Sequence, residues 1–365
     1  MPISRRNTGG SMGLRRLGGI ASICTVIAGV SVQAQPAVKQ GTYTPPKRSE
    51  CGRDLPAYPL KERDNWTEGW VDLRFDVTAD GKAQNVTVDY QMGRGDFAKH
   101  TAKWLEGCQF EPASRDGMPV EARNQSQRFY FRLESANPGA GPEIIRRLRA
   151  VDTLLDQGKA DEAMAELDKA SKDSRFLYEM VHIMGRRAQA MAIAGKVDLA
   201  ILYLQQVRYS DTFLGPREQG WVRRLTLRLA LSQDLYRDAV DAAETIKDLG
   251  DKDADKVLTS ALERMRKAVE DETPIGVDGR IPSECRPEIC STEQPSWRYR
   301  PVRRTISLTD VKGQLDRVEA RCDARTFSAK AEPDVTWTIP ASWGECSVSI
   351  FGTPGSTFRI IDENV

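Results

Sequence analysis

The 365-residue sequence predicts a multidomain α+β protein with three folded parts. Apolar and polar residues alternate with period two around one helix over residues 51–135, which indicates a β-β-α-β unit. Residues 136–272 show a helical period and an internal repeat, which predict an α-helical repeat domain. Short strand-like segments separated by Pro and Gly predict a small all-β domain over residues 273–365.

Residues 1–34 have the pattern of a secretory signal peptide. Four arginines near the N-terminus are followed by an apolar segment that ends in Val32-Gln33-Ala34. This order is typical of a leader that is cleaved after Ala34. Met12 is an alternative start, because residues 12–34 alone form a compact signal. The other interpretation is an uncleaved inner-membrane anchor, but an apolar run of about 16 residues is short for a spanning helix.

The charge balance argues against a nucleic-acid partner. The chain contains 53 Lys and Arg against 52 Asp and Glu, whereas nucleic-acid-binding proteins usually carry a clear basic excess. Removing residues 1–34 takes away four Arg and no acidic residue, which shifts the net charge from +1 to −3. We therefore expect no nucleic-acid binding, no stable membrane span after cleavage, and a location in the periplasm of a two-membrane bacterium.

The cysteines agree with export. Cys24 leaves with the predicted signal, and six cysteines remain: Cys51, Cys108, Cys285, Cys290, Cys322 and Cys346. An even number in an exported chain favours disulfides, although six cysteines allow 15 pairings. We predict the pairs Cys51–Cys108, Cys285–Cys290 and Cys322–Cys346 from their segregation along the chain. No CxxC motif occurs, so zinc binding or redox chemistry is the weaker interpretation.

The predicted β-β-α-β unit is built from a few local signals. One strand places four apolar side chains on a single face: Val71, Leu73, Phe75 and Val77. Asp80-Gly81 predicts a hairpin turn into a return strand. Residues 96–107 have helical spacing, and Phe129, Phe131 and Leu133 alternate in a last strand.

This unit resembles the C-terminal domain of the TonB family. The matching residues include Tyr58-Pro59, Glu68-Gly69, Asp80-Gly81, Phe110-Glu111-Pro112-Ala113, Asp116-Gly117 and Pro119-Val120. The resemblance implies a domain that binds extended peptides by strand addition, as TonB does with the box segment of outer-membrane receptors. Isolated domains of this kind can exchange strands, so a homodimer is also an expectation.

Three residues of the last strand are the candidate partner-binding residues. Arg128, Tyr130 and Arg132 point away from the predicted core face, where a partner would meet them. The alternative is a solvated strand face whose charges discourage edge pairing.

The chain departs from an energy-transducing TonB in two respects. That protein keeps an anchor helix with a functional His, whereas here no His precedes His100. It also has a long Pro-rich spacer, whereas the linker over residues 35–50 reaches at most ~55 Å when fully extended. We therefore do not expect coupling to a proton-channel complex from the resemblance alone.

The central part contains three aligned segments, offset by 37 and 39 residues: Gln157-Gly-Lys-Ala-Asp-Glu-Ala163, Ala194-Gly-Lys-Val-Asp-Leu-Ala200 and Gln233-Asp-Leu-Tyr-Arg-Asp-Ala239. They resemble tetratricopeptide (TPR) repeats, with Gly at the turn between helices and a small Ala where paired helices approach closely. The period is longer than the usual 34 and the terminal Pro is missing, so the repeats are divergent. Stacked helix pairs form a concave surface for peptides or proteins; the alternative is a spacer between two β-containing domains.

The last part yields no family resemblance. Trp297, Trp337 and Trp343 are expected to pack in its core or at its turns, and stacking on a sugar is the alternative.

No catalytic constellation is recognisable in the chain. It lacks a Gly-x-Ser-x-Gly elbow, an HExxH motif and a phosphate loop. His182 lies among apolar residues, which favours a packing role. We expect no enzyme activity, cofactor or metal.

The sequence predicts an exported protein that acts through protein–protein interaction, linked to TonB-dependent outer-membrane transport. The alternative is an envelope scaffold or assembly protein that binds peptidoglycan or other envelope proteins without energy transduction.

Overall fold

The computed structural model describes residues 3–5, 43–52, 54–93, 95–133, 139–208, 210–248, 256–284, 286, 288–290 and 295–363. Of the predicted signal peptide it describes only strand β1 (Ile3–Arg5). Within these residues no helix is both long and apolar enough to cross a membrane.

The N-terminal unit follows the predicted β-β-α-β order, with short additional elements. Its elements are β2 (Tyr43–Thr44), β3 (Lys47–Glu50), α1 (Leu60–Asp64), β4 (Gly69–Val77), β5 (Ala83–Met92), α2 (Phe97–Glu106), β6 (Gln109–Glu111), β7 (Ala113–Arg115), β8 (Met118–Val120) and β9 (Ala122–Phe131). The main sheet is antiparallel with strand order β5-β4-β9. Helix α2 covers one face and buries Phe97 and Leu105 in the same core as Val71 and Leu73.

In the part of the chain that the structure describes, seven helices follow: α3 (Pro142–Asp156), α4 (Ala160–Asp173), α5 (Leu177–Ile193), α6 (Val197–Arg208), α7 (Pro216–Ser232), α8 (Tyr236–Asp248) and α9 (Lys256–Glu270). The first six form three hairpins, α3–α4, α5–α6 and α7–α8. The turn residues Gly158, Gly195 and Asp234 all have positive φ, at 72°, 73° and 55°. A residue in this conformation ends a helix by letting the next amide bond back to the last turn.

The three turns share one hydrogen-bond pattern. The amides of Lys159, Lys196 and Leu235 each donate across five residues, to the carbonyls of Leu154, Met191 and Ala230, all at 2.9 Å. The alanines that end the aligned segments, Ala163, Ala200 and Ala239, are completely buried. The aligned segments are therefore equivalent turns, each followed by a helix that packs closely through an alanine.

The C-terminal part is a sandwich of two antiparallel sheets. Its strands are β10 (Ile275–Arg280), β11 (Ser296–Tyr299), β12 (Thr305–Lys312), β13 (Leu315–Cys322), β14 (Thr326–Lys330), β15 (Val335–Thr338), β16 (Cys346–Gly352) and β17 (Thr357–Glu363). The sheet orders are β1-β15-β12-β17-β10 and β11-β16-β13-β14. Trp337, Ile350 and Ile360 lie buried in the core. Leu262 of α9 belongs to the same core, so the sandwich packs directly on the last helices.

Strand β10 contains two glycines, Gly276 and Gly279. Both glycines pair with β17. A Cβ atom at Gly276 would collide with the Arg359 side chain, and one at Gly279 with the Phe358 ring. These glycines make room for side chains of the neighbouring strand and do not mark a turn.

Two of the predicted disulfides are present, Cys51–Cys108 in the N-terminal unit and Cys322–Cys346 between β13 and β16. Cys290 is also disulfide-bonded. The predicted Cys285–Cys290 pair lies partly outside the described residues, because Cys285 is not among them.

Candidate partner-binding sheet and its contacts with the helices

Strand β9 forms one edge of the main N-terminal sheet. It is 10 residues long and pairs with β4 in a register that runs from Phe131 opposite Gly69 to Ala122 opposite Val77. Across the described ranges no strand pairs with its other side. An unpaired edge presents backbone N–H and C=O groups that can bind an added strand.

Arg128 lies on the sheet face opposite α2 and is directed at the helices. Its guanidinium binds both carboxylate oxygens of Asp72 on β4, at 2.6 and 2.5 Å. It also donates to the Gln206 carbonyl at 3.1 Å and to the Ser210 hydroxyl at 2.7 Å. Its side chain is only 9% exposed. Burial disfavours the charged form of Arg128, but hydrogen bonding to Asp72 and its charge outweigh this and raise the pKa of Arg128.

Tyr130 and Arg132 follow Arg128 along β9 and the residue after it, on the same face of the sheet. The Tyr130 hydroxyl is 3.3 Å from the Ser210 hydroxyl, and its ring centroid is 5.5 Å from that of Phe213. Arg132 is exposed and its guanidinium lies 5.1 Å from the Phe213 ring centroid. The structure therefore brings the three predicted residues together, but their contacts here are with α6 and the segment after it. Whether they also bind a partner stays a prediction.

Two further residues, absent from the predicted site, fix the sheet to the helices. The Glu68 carboxylate accepts hydrogen bonds from the amides of Leu133, at 2.8 Å, and Leu177, at 2.9 Å. It thus joins the end of the last strand to the start of α5. Trp70 on β4 is 1% exposed and packs in the core of the helical part. A large apolar residue on the outer face of a strand was the sequence signal that this face is covered.

A cavity of about 400 Å³ lies beside Arg128, between the sheet, α6, α8 and β11. Its walls carry charged side chains in close ion pairs. Arg74 of β4 binds Asp89 of β5, and Arg300 binds Asp238 and Asp241 of α8, both at 2.9 Å. Arg208 of α6 contacts Asp241 at 3.1 Å. The two Arg300 pairs join α8 to the C-terminal sandwich beside the cavity.

The described part of the chain contains no cluster of three or more His, Cys, Asp or Glu side chains arranged to hold a metal ion. His182 is 7% exposed on α5, and its ring centroid lies 4.3 Å from that of Tyr178. Burial, and then the charge of Arg186, lower the pKa of His182 to about 4. It therefore sits among packed side chains as a neutral imidazole at pH 7.

Comparison with known proteins identifies the N-terminal unit. No curated protein matches the chain. The solution NMR structure of the Pseudomonas aeruginosa TonB CTD is 25% identical to this chain, covers 25% of it and 90% of its own length, with a TM-score of 0.23. The model of the family described as Gram-negative bacterial TonB protein C-terminal matches residues 54–133. Residues 54–133 of this chain are therefore a TonB C-terminal domain.

Proposed function

We propose that this protein acts in the periplasm through protein–protein interaction, and that a partner segment adds as a strand to the free edge of β9. The observation that carries the proposal is a 10-residue edge strand, unpaired on one side within the described residues, in a TonB C-terminal domain. Strand addition gives affinity through backbone hydrogen bonds and specificity through alternate side chains.

The contacts of Arg128 decide which part of the sheet is available. Its face is occupied by α6 through Gln206 and by the segment after α6 through Ser210, and Trp70 is packed in the helical core. A partner would therefore bind along the edge of β9, on the side away from β4, where Ser126 is exposed. Strand β13 of the C-terminal sandwich also lies near β9. The middle of this edge carries neutral polar side chains, Gln125, Ser126 and Gln127, which put no repulsive charge against an added strand.

In this proposal the helical part is a TPR-like repeat that holds the sheet in place. The equal turn geometry at Gly158, Gly195 and Asp234 supports the repeat. The partner is the box segment of a TonB-dependent outer-membrane receptor, as the family implies. Pairing of two copies through the same edge would give the predicted homodimer.

A pair of proline variants tests the role of the edge. Consecutive residues of a strand direct their N–H groups to opposite sides. One of the two variants, Ser126→Pro and Gln127→Pro, therefore removes an N–H that faces β4, and the other removes an N–H on the free edge. Proline is tolerated where the lost N–H faces outward from an edge strand. Thermal melting of the full-length protein identifies the variant that keeps the wild-type fold.

The binding of a synthetic receptor box peptide is then measured by calorimetry. We expect the stably folded proline variant to lose peptide binding, since its lost N–H belongs to the edge. Wild-type affinity in that variant would contradict strand addition at β9. If envelope proteins are recovered equally by both variants and the box peptide does not bind, the envelope-scaffold alternative is supported.

A further inference from the structure

A second cavity, of about 570 Å³, separates the helical part from the C-terminal sandwich. One wall is the α5–α6 turn and α6, and the other comes from β10, β11, β12 and β17. Its volume lies within the range of small-molecule sites, about 300–1,000 Å³. It is distinct from the edge of β9, so it can hold a ligand of its own.

A tryptophan held by two other aromatic rings lines this cavity. Trp297 is partly exposed, and its ring contacts Phe358 edge-on at 5.3 Å and 85° between planes. Tyr299 stacks beside it at 5.8 Å and 15°. The face of an indole is electron-rich and attracts C–H groups, such as those on the flat side of a sugar ring. Because the ring is already fixed by packing, binding costs little side-chain entropy.

Polar side chains line the same cavity as the indole. Gln205 and Gln233 on the helical wall offer amide donors and acceptors, and Asp310 on the opposite wall offers carboxylate oxygens. Such groups suit the hydroxyls of a sugar, each of which both donates and accepts.

Two basic residues mark one end of the cavity. Arg280 of β10 and Lys312 of β12 both lie opposite Thr357 of the intervening strand β17. Residues in one such row share a face of the sheet, and their Cα atoms lie about 10 Å apart, two strand spacings. Both are exposed, and among the described residues neither forms an ion pair, unlike Lys196 and Arg359, which also line the cavity.

We propose that this cavity binds a segment of an acidic glycan. One sugar ring stacks on Trp297, and a carboxylate on the same or the next sugar lies between Arg280 and Lys312. The cavity lining contains five basic and three acidic side chains, and this positive excess favours a ligand with negative charge.

Two disaccharides that differ in one carboxylate test the proposal. The acidic ligand is N-acetylglucosaminyl-N-acetylmuramic acid, and the neutral one is di-N-acetylchitobiose, which lacks the lactyl carboxylate. Binding to the full-length protein is measured by calorimetry. We expect the acidic disaccharide to bind more tightly. Trp297→Leu should weaken both by about 10-fold, the value of one aromatic contact. Lys312→Glu should weaken the acidic ligand alone, by about threefold.

Trp343→Leu is the control, because Trp343 is partly buried but lines a different cavity. Thermal melting confirms that each variant is folded. Equal binding of the two disaccharides, binding unaffected by Trp297→Leu, or no binding of either disaccharide would overturn the proposal.

Discussion

Arg128 forms two parallel hydrogen bonds with Asp72 on the neighbouring strand and, with the rest of the same guanidinium, binds Gln206 and Ser210 of the helical part. The Arg128 side chain therefore forms an ion pair within the sheet and also hydrogen-bonds the N-terminal sheet to the helical part. The TonB C-terminal domain of this protein is attached to the helices through this face.

Removal of Arg128 should destabilise the protein strongly. Arg128→Ala leaves the largely buried Asp72 side chain, 13% exposed, without its partner, and breaking a buried ion pair in this way costs about 3–5 kcal/mol. The more exposed pair of Arg123 and Glu121, at 3.0 Å and at the start of the same strand, is the matched control. Arg123→Ala should cost under about 1 kcal/mol. Urea unfolding monitored by tryptophan fluorescence measures both, and similar losses would show that the Arg128 contacts contribute little.

The stability of the protein should depend on pH through His182. In the unfolded chain this His titrates near 6.5, whereas the folded-state pKa is lowered to about 4 by burial and then by Arg186. Between these pH values the unfolded state binds a proton that the folded state does not bind. Stability should therefore fall as the pH drops from 6.5 towards 4, by up to about 3 kcal/mol.

The chain provides a control for this dependence, because it contains only 2 His. His182→Gln should flatten the pH dependence of unfolding between pH 7 and 4.5, and His100→Gln, on the exposed side of α2, should leave it unchanged. Denaturant midpoints at several pH values measure the effect. An unchanged dependence in His182→Gln would assign the pH effect to other groups.

The turns between paired helices should respond oppositely to two substitutions. Gly195→Ala puts a side chain at φ 73°, where no neighbouring atom lies within 4 Å of the added Cβ, so only backbone strain is introduced. It should cost about 1 kcal/mol. Asp234 has the same conformation, at φ 55°. Asp234→Gly removes the backbone strain there and should stabilise the protein by up to about 1 kcal/mol. Thermal melts check both signs, and stabilisation by Gly195→Ala would refute the shared turn geometry.

Reduction of the disulfides should weaken both β-containing parts. The Cys322–Cys346 bond closes a separation of 24 residues, and the Cys51–Cys108 bond one of 57. Chain entropy predicts losses of about 3 and about 4 kcal/mol, respectively. We expect Cys322→Ser with Cys346→Ser to lower the melting temperature less than Cys51→Ser with Cys108→Ser. If the Cys322–Cys346 variant lost more stability, contacts around the disulfides and not chain entropy would determine the losses.

Local patterns predicted much of the architecture. The alternation from Val71 to Val77 and the turn at Asp80-Gly81 are expressed in β4 and β5, because both depend on neighbouring residues only. Gly158 and Gly195 were recognisable as turns because each repeat presents the same local sequence.

Contacts between distant parts of the chain were not predictable in the same way. Alternation placed Arg128 on the outer face of its strand, but its partners Gln206 and Ser210 are 78 and 82 positions away. The need for glycine at Gly276 and Gly279 of β10 was not visible either, because it comes from the Arg359 and Phe358 side chains of another strand. Likewise, the position of Trp297 at a cavity between two parts of the chain depends on how those parts pack.

The most direct test of the central claim is amide hydrogen exchange of the full-length protein with and without a receptor box peptide. We predict that alternate amides of residues 122–131, those on the free edge of β9, become protected when the peptide is added, while the amides paired with β4 keep their exchange rates. Protection confined to α3, α5 and α7, or no change anywhere in β9, would contradict strand addition at this edge.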